Sequence, residues 1–343
     1  MLGTESKNGE PFTVPASLVT QPQATVIITT YNYARFVGEA VASVVAQTFD
    51  DIQILVIDDG STDDTPAVLA AIDDPRLEVV RTLNQGIGAS RNEGLSRVKG
   101  EFVAFLDADD RWLPDKLQRQ VAVMRSEPGV VACFTNFVRF NDQGVFPVDQ
   151  FTFFPELQQI PTQPTRDGGG FRLTGNAFST LVAFQEIPAW VQTILFRSSA
   201  VRDLRFPIDP QNDPSVRYGV CEDMHFCLRS YRAGSVAFLA DPLVEVRRHG
   251  KNATSQRSDM AQAKLAAFRL LAHESLGPAE RLALRYRLGR ALIESGVQYA
   301  GDGHPAKAAA SFREALSFNG ARLSALKNLA LLTVSKSPTA SSS

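Results

Sequence analysis

Four clusters of charged residues in this sequence have the types and spacing to do chemistry. Asp58-Asp59 and Asp107-Ala108-Asp109-Asp110 are acidic, Glu222-Asp223 pairs two further acids, and Arg247-Arg248-His249 adds cations and an imidazole. Carboxylates gathered in one crevice would repel a diphosphate unless a cation stood between them, and hard oxygen donors suit Mg2+ or Mn2+. Asp107-x-Asp109 therefore reads as a metal bridge to phosphate. Two other nucleotide-binding devices are missing: there is no G-x-G-x-x-G after the first apolar run and no P-loop lysine motif. Gly86-Ile87-Gly88 is only a lone G-x-G, and an isolated D-x-D also occurs as a plain strand-end turn. Position in the fold has to separate these meanings.

From Ala24 the chain alternates short apolar runs with helix-period segments. Strands are expected at Thr25–Thr29, Ile52–Ile57, Leu77–Val80, Phe102–Leu106 and Val130–Phe134, the first apolar and β-branched enough to be buried on both faces and the second also buried. Between them Phe36, Val37, Ala40, Val41, Val44 and Val45 recur at helical spacing. Thr65-Pro66 offers an N-cap followed by a first-turn proline, and Ala89–Arg97 and Leu113–Arg125 read as further helices. Strands alternating with helices predict an α/β fold with a doubly wound, mostly parallel sheet. Tyr31 and Asn32, Asp58 and Asp59, Asn84 and Gln85, and Asp107 and Asp109 then follow the first four strands in turn. All lie at carboxyl ends, the edge along which such sheets bind ligands.

The second half is less periodic. Phe137–Gly170, rich in Pro, Gln, Gly and Phe, reads as an insertion facing substrate or as a partly mobile loop. Ala189–Phe196 reads as a strand, and Glu222-Asp223 opens a helix. Beyond Ser258 the composition shifts to Ala, Leu and Arg, with helices expected at Ala279–Ala300, Pro305–Phe318 and Ala321–Leu332. Leu288-Gly289, Ala308, Phe312 and Ala315 resemble fragments of a tetratricopeptide repeat, but fewer units fit than a free-standing array needs. This region is expected to be a small all-α appendage packed on the sheet, or a docking surface for a protein partner or a second copy in a homo-oligomer. The expected division is a flexible arm over 1–23, a sheet domain over 24–257, a helical region over 258–334 and a disordered tail over 335–343.

A formal net charge of −2 gives no electrostatic argument for nucleic acid. Cys133, Cys221 and Cys227 neither pair off evenly nor form a metal-ligand array, which suits a reducing compartment. Met1–Gln23 lacks the apolar centre of a signal peptide, and no apolar run approaches the roughly 20 residues of a spanning helix. A cytoplasmic protein is expected, one that could sit peripherally at the inner face of the membrane.

The segments VIITTYN (Val26–Asn32), VIDDGSTDDT (Val56–Thr65), NQGIGASRNEG (Asn84–Gly94) and GEFVAFLDADD (Gly100–Asp110), in this order, resemble the nucleotide-binding half of the family 2 glycosyltransferases of GT-A fold. The likeness continues more weakly to about Ser255. It implies that Thr29 and Tyr31 line the nucleobase pocket, that Asp59 hydrogen-bonds the base, most often uracil, and that Arg91 approaches the donor near the base or phosphates. It also implies that Asp107 contacts the donor sugar or ribose and that Asp109 holds Mn2+ or Mg2+, with Asp110 able to share that role. His249 would complete the metal sphere or touch phosphate, and Arg248 would neutralise the leaving group. Trp190 and Gln192 would lie on the acceptor side. The second acid of the family's E-D pair is the general base, here Asp223. A carboxylate in that role takes the proton of a hydroxyl acceptor as it attacks. The implied activity is inverting transfer from a nucleotide-sugar donor, a UDP-sugar, to a glycan, lipid-linked or protein hydroxyl in bacterial surface or envelope glycan synthesis.

Three other functions were weighed against this one. A sugar-phosphate nucleotidyltransferase carries a Gly-rich basic loop after its first strand, where this chain has Thr29-Thr30-Tyr31-Asn32. A degenerate transferase serving as a scaffold through its helical tail does not need the intact Asp59, Asp109 and Asp223. A retaining glycosidase also uses two carboxylates but has no use for a metal-bridged diphosphate site.

Overall fold

The computed structural model describes residues 21–154, 159–184, 189–208, 221–250 and 260–334. The arm over 1–20, Ser255 and the tail over 335–343 lie outside the described residues. The first half follows the expected alternation: β1 (Ala24–Thr30), α1 (Val37–Val45), β2 (Ile52–Asp58), α2 (Thr65–Ala70), β3 (Leu77–Arg81), α3 (Ile87–Ser96), β4 (Phe102–Asp107), β5 (Arg111–Trp112), α4 (Lys116–Ser126) and β6 (Val130–Asn141). Then come β7 (Gly144–Val145), α5 (Gln150–Phe153), β8 (Thr162–Pro164), β9 (Phe171–Leu173), α6 (Ala177–Val182), β10 (Ile194–Arg197), α7 (Ser198–Val201), α8 (Glu222–Ser230) and β11 (Ser235–Arg247). Four longer helices close the chain: α9 (Met260–Ala272), α10 (Pro278–Gly301), α11 (Pro305–Ala315) and α12 (Arg322–Val334).

The sheet runs β3-β2-β1-β4-β10-β6-β11-β9-β8. β3, β2, β1 and β4 are mutually parallel, β10 is antiparallel to both its neighbours, and β6 and β11 are parallel again. The chain leaves β1 for β2 on one side and returns to place β4 on the other, so a crevice opens at their carboxyl ends. Alternation along each strand sorts the core into two layers. Val26, Ile28, Ile54, Val56, Ala104 and Leu106 join α1 and α4 on one face. Ile27, Leu55, Ile57, Val103 and Phe105 join α6, α8 and the closing helices α9 to α12 on the other. The helical region thus shares one continuous core with the sheet. At roughly 1.5–3 kcal/mol per fully buried aliphatic or aromatic side chain, that interface is a principal stabilising term.

Several expectations about the second half need correction. Ala189–Phe196 is not one strand: residues 191–193 form a 3-10 turn and only Ile194–Arg197 pairs in the sheet. β6 runs on to Asn141, and the stretch after it is ordered, holding β7, α5, the edge strand β8 and β9, which joins β8 to β11. The 13-residue β11, unforeseen in the sequence, bulges around Pro242, which lacks the N–H a regular ladder needs. Helix α9 likewise precedes the three helices expected.

Candidate active site

Each polar loop at the crevice is held by its own side chains. Asn32, after β1, has φ of 57°, a left-handed conformation that a short amide tolerates. Its Oδ1 accepts from the N–H of Thr62 at 2.7 Å, and its own N–H donates to Ser61 Oγ at 2.9 Å. This ties the first loop to the second. Asp58 accepts from Ser61 N–H at 2.8 Å. The buried Asp59 accepts from the N–H groups of Gln85 and Gly86, at 3.0 and 2.8 Å, and from the Thr82 hydroxyl at 3.2 Å. Asp59 therefore shapes the loop that leads into α3. Thr29, Tyr31 and Asp59 all line one cavity of about 660 Å³, a size typical of small-ligand sites, and Tyr31 is exposed there.

The turn after β4 carries three carboxylates with three different surroundings. Asp107 lines the cavity and accepts from Arg91 Nη2 at 2.7 Å. Asp109 Oδ2 lies 3.0 Å from His249 Nε2. The His249 ring is stacked on Phe36, with centroids 4.9 Å apart. Burial and the charge of Asp107 raise the Asp109 carboxyl above the ordinary range, while His249 opposes the rise. Asp110, expected to share the metal with Asp109, also lines the cavity and has both carboxylate oxygens engaged by the protein. Its Oδ1 accepts from Arg247 N–H at 2.8 Å and its Oδ2 from Gln192 Nε2 at 2.9 Å. Burial, followed by Asp109 and Asp107, holds it well above the usual carboxylate range. Asp110 is thus a brace that fixes the start of Arg247-Arg248-His249 against the turn. Gln192, expected beside the acceptor, is the other half of that brace, and its carbonyl accepts from Trp112 Nε1 at 3.0 Å.

Asp109 and His249 together offer a carboxylate and an imidazole in an acid-rich pocket, a donor set that fits a divalent cation completed by phosphate oxygens and water. Among the described residues no group of three His, Cys, Asp or Glu side chains is placed to cage a metal. Arg248 lines the same cavity with its guanidinium 5.4 Å above the Trp190 ring, which packs on Phe137 with centroids 4.8 Å apart.

Helix α8 supplies the other end. Asp223, in its first turn, lines the cavity, and its carboxylate accepts from Met224 N–H at 2.7 Å. Burial raises this carboxyl and nearby Arg91 opposes the rise. Its neighbour Glu222 is buried and accepts from Arg91 Nη1 at 2.6 Å. Burial first, then the charge of Asp223, pushes Glu222 up to about 7 against the pull of Arg91. Arg91 was expected near the base or phosphates. It sits instead behind the cavity wall, almost fully buried, joining Asp107 to Glu222.

Sequence reasoning missed part of the wall. Tyr33 lines the cavity, and burial together with Asp109, Asp107 and Asp110 raises its hydroxyl above its ordinary value. Helix α9 contributes Met260, Lys264 and Phe268, and packs Ala263 and Ala267 against Cys221 at the start of α8. The i, i+4, i+8 spacing of those three lining residues was a signal in the sequence. Nothing in the sequence connected it to a site so far upstream.

Residues 25–185 match the model of the glycosyl transferase family 2. An uncharacterized glycosyltransferase of Nostoc sp. is 32% identical over 253 residues, covering 69% of this chain and 70% of the relative. The succinoglycan biosynthesis protein ExoO of Rhizobium meliloti is 37% identical over 108 residues, 31% of either chain. Among solved structures, S. aureus TarS 1-349 in complex with UDP-GlcNAc superposes with a TM-score of 0.60 at 19% identity, covering 91% of each chain. The mannosyltransferase PcManGT from Pyrobaculum calidifontis, in complex with GDP-Man and Mn2+, gives 0.56 at 20% identity, covering 93% of this chain and 82% of that one. The fold is that of these transferases, and with a relative this similar over most of both chains, the protein belongs to glycosyl transferase family 2.

Proposed function

We propose that the protein moves a sugar from a nucleotide-diphosphate donor, a UDP-sugar, to a hydroxyl acceptor with inversion at the anomeric carbon. The observation that carries this reading is a cavity lined by Thr29, Tyr31, Asp59, Asp107 and Asp109 and also by Asp223 on α8. The strand-end loops have the residues to seat a nucleotide: Tyr31 as a ring for the base, and the loop braced by Asp59 beside it. Asp107 is the group for a ribose or donor-sugar hydroxyl. Asp109 and His249 would hold Mn2+ or Mg2+, which supplies charge neutralisation for the departing diphosphate. Arg248 adds a cation to the same lining. Asp223 takes the acceptor proton as the acceptor oxygen bonds to the anomeric carbon. The bond from that carbon to the phosphate oxygen breaks on the opposite face. Burial that raises the Asp223 carboxyl makes it a stronger base once ionised.

The likeness to a succinoglycan biosynthesis protein supports a role in bacterial surface polysaccharide synthesis. Among the described residues no helix is long and apolar enough to cross a membrane. A cytoplasmic or peripheral site of action, with a glycan, lipid-linked or protein hydroxyl as acceptor, belongs to the same proposal. So do a catalytic unit over 24–257 and a partner-binding role for the helices over 258–334.

The test is calorimetric titration of UDP, GDP, dTDP and CDP, with and without Mn2+, against wild type and Asp109→Ala. Binding of UDP that needs Mn2+ and is lost in the variant is expected. If folded wild-type protein binds none of the four, the donor-site reading fails.

A further inference from the structure

Arg91 is buried beside the cavity and contacts both Asp107, which lines it, and Glu222, the neighbour of Asp223 in the chain. It projects from α3, a helix fixed in place by close contacts. A Cβ at Gly94 would come within 2.5 Å of Ile27 on β1, so α3 lies directly on the sheet. Asn92 makes reciprocal bonds with the Phe206 backbone, at 2.9 and 2.8 Å. The Phe206 ring lies under the Arg91 guanidinium at 5.4 Å and stacks on Phe226 of α8, centroids 4.0 Å apart. Two arms of the guanidinium are committed in different directions: Nη2 to Asp107 at 2.7 Å and Nη1 to Glu222 at 2.6 Å. Side-chain exposure is 3% for Arg91 and 4% for Glu222 but 27% for Asp107, so only the Asp107 end can be reached by a ligand in the cavity.

The fork is also incompletely used. Among the described residues the buried Arg91 Nε and Glu222 Oε2 have no hydrogen-bond partner. A buried polar atom left unpaired is destabilising, and here one orphan is a donor and the other an acceptor on two side chains already in contact. A guanidinium released from Asp107 can turn its Nε–Nη2 edge onto Glu222 and satisfy both.

Resting on the proposed transferase reading, in which Asp107 serves the donor and Asp223 the acceptor, we propose that Arg91 is a positioning residue that couples the two halves of the site. When a donor takes over Asp107, Arg91 closes on Glu222, and the first turn of α8, with Asp223 next in the chain, responds. The base is thereby set by donor occupancy. Arg91 itself touches no reacting atom.

The charged and titratable groups around Asp223 are Arg91 from α3, Asp107 from β4, Glu222 and Cys227 on α8 and Tyr231 just after it. Lys264 from α9 and Arg248 line the same cavity. A direct probe of Asp223 therefore tests the link better than turnover alone. The full chain is labelled with 13Cγ-aspartate and the Asp223 signal assigned by its loss in Asp223→Asn. Wild type, Arg91→Met, Arg91→Lys and Glu222→Gln, each checked for fold by circular dichroism, are titrated with pH and then with UDP and Mg2+. Without nucleotide, the Asp223 midpoint is expected to move to higher pH in Arg91→Met. With nucleotide, the wild-type Asp223 signal shifts, and that response is lost in Arg91→Met and Glu222→Gln even though both still bind UDP. An undiminished response in either variant overturns the coupling. If UDP binds to none of the proteins, the donor reading has failed, and the pH series alone decides the electrostatic link: an unmoved midpoint in Arg91→Met overturns it. Should Arg91→Met not fold, Arg91→Lys, which keeps the charge but can hold only one carboxylate, makes the same comparison beside Glu222→Gln.

Discussion

Replacing Asp110 should cost stability, whereas replacing its neighbour Asp109 should cost nucleotide binding. Asp110→Ala strips the acceptor from two buried donors, Arg247 N–H and Gln192 Nε2. Each orphaned donor costs about 1–3 kcal/mol, so the gross loss is roughly 2–6 kcal/mol. Part is returned, because the carboxylate is itself buried beside Asp107 and Asp109 and held well above its ordinary range. A net loss of about 2–3 kcal/mol is expected in urea unfolding at pH 7. Asp110→Asn keeps an acceptor for Arg247 N–H and should lose only about 1 kcal/mol. Asp109→Asn keeps an acceptor beside His249 and should stay within about 1 kcal/mol of wild type. Calorimetry with UDP and Mn2+ should give the reverse order, with Asp110→Asn binding close to wild type and Asp109→Asn weakened by more than about tenfold, or 1.4 kcal/mol. An Asp110→Asn protein of unchanged stability that no longer binds metal and nucleotide would refute the assignment of Asp110 as a brace.

Three further outcomes follow from the same geometry. Glu222 is raised from 4.5 to about 7, so its protonated form favours the fold, and its contribution is full below pH 4.5 and lost as pH rises through 7. That swing is at most about 3 kcal/mol, and Glu222→Gln, which does not titrate, should gain on wild type between pH 5 and 8 in parallel unfolding curves; a gap that is constant with pH contradicts this. Asp59→Ala frees the Gln85 and Gly86 amides; their hydrogen exchange should accelerate and UDP affinity fall by about tenfold or more, and unchanged exchange would show that the loop is held by something else. At Gly100 an added Cβ would meet the Ala24 backbone at 2.6 Å, whereas at Gly129 it would meet nothing within 4 Å. Gly100→Ala should therefore lose about 1–3 kcal/mol in urea unfolding while Gly129→Ala stays near wild type, and equal losses would refute the steric argument.

The first half of the fold was legible because its signals are local. An apolar run of strand length such as Ile52–Ile57 has one good use, and the alternation with helices dictates a parallel sheet with its polar loops on one edge. The acids at those loops could be placed from the chain alone. Their separate duties could not. Asp109 and Asp110 are adjacent and chemically identical, and they differ only in what Arg247 and Gln192 bring to them from more than 80 residues away in the chain. Arg91 and Glu222, 131 residues apart, leave no trace in composition or periodicity. The stretch around Gln192 looked like a strand because Ala189–Phe196 is apolar. It turns instead at residues 191–193, where the Gln192 side chain reaches Asp110 and its carbonyl takes the Trp112 indole. β11 is hard to read because Asp241 and Pro242 interrupt an otherwise largely apolar run.

Helix α9 is a wall of the cavity through Met260, Lys264 and Phe268 and a member of the main core through Leu265, Phe268 and Leu271. The cavity lining around Asp223 and the packing of α10 to α12 are for this reason not separable inheritances. A chain shortened before Met260 would bare the apolar flanks of α6 and α8 as well as opening the cavity, turning a binding surface into a site of self-association. Shuffling helical regions between relatives would likewise exchange the lining that α9 supplies along with any surface those helices offer. Variation far along the chain, at positions chosen only to fit Leu284 or Leu288 into the core, carries through α9 to the wall of the cavity.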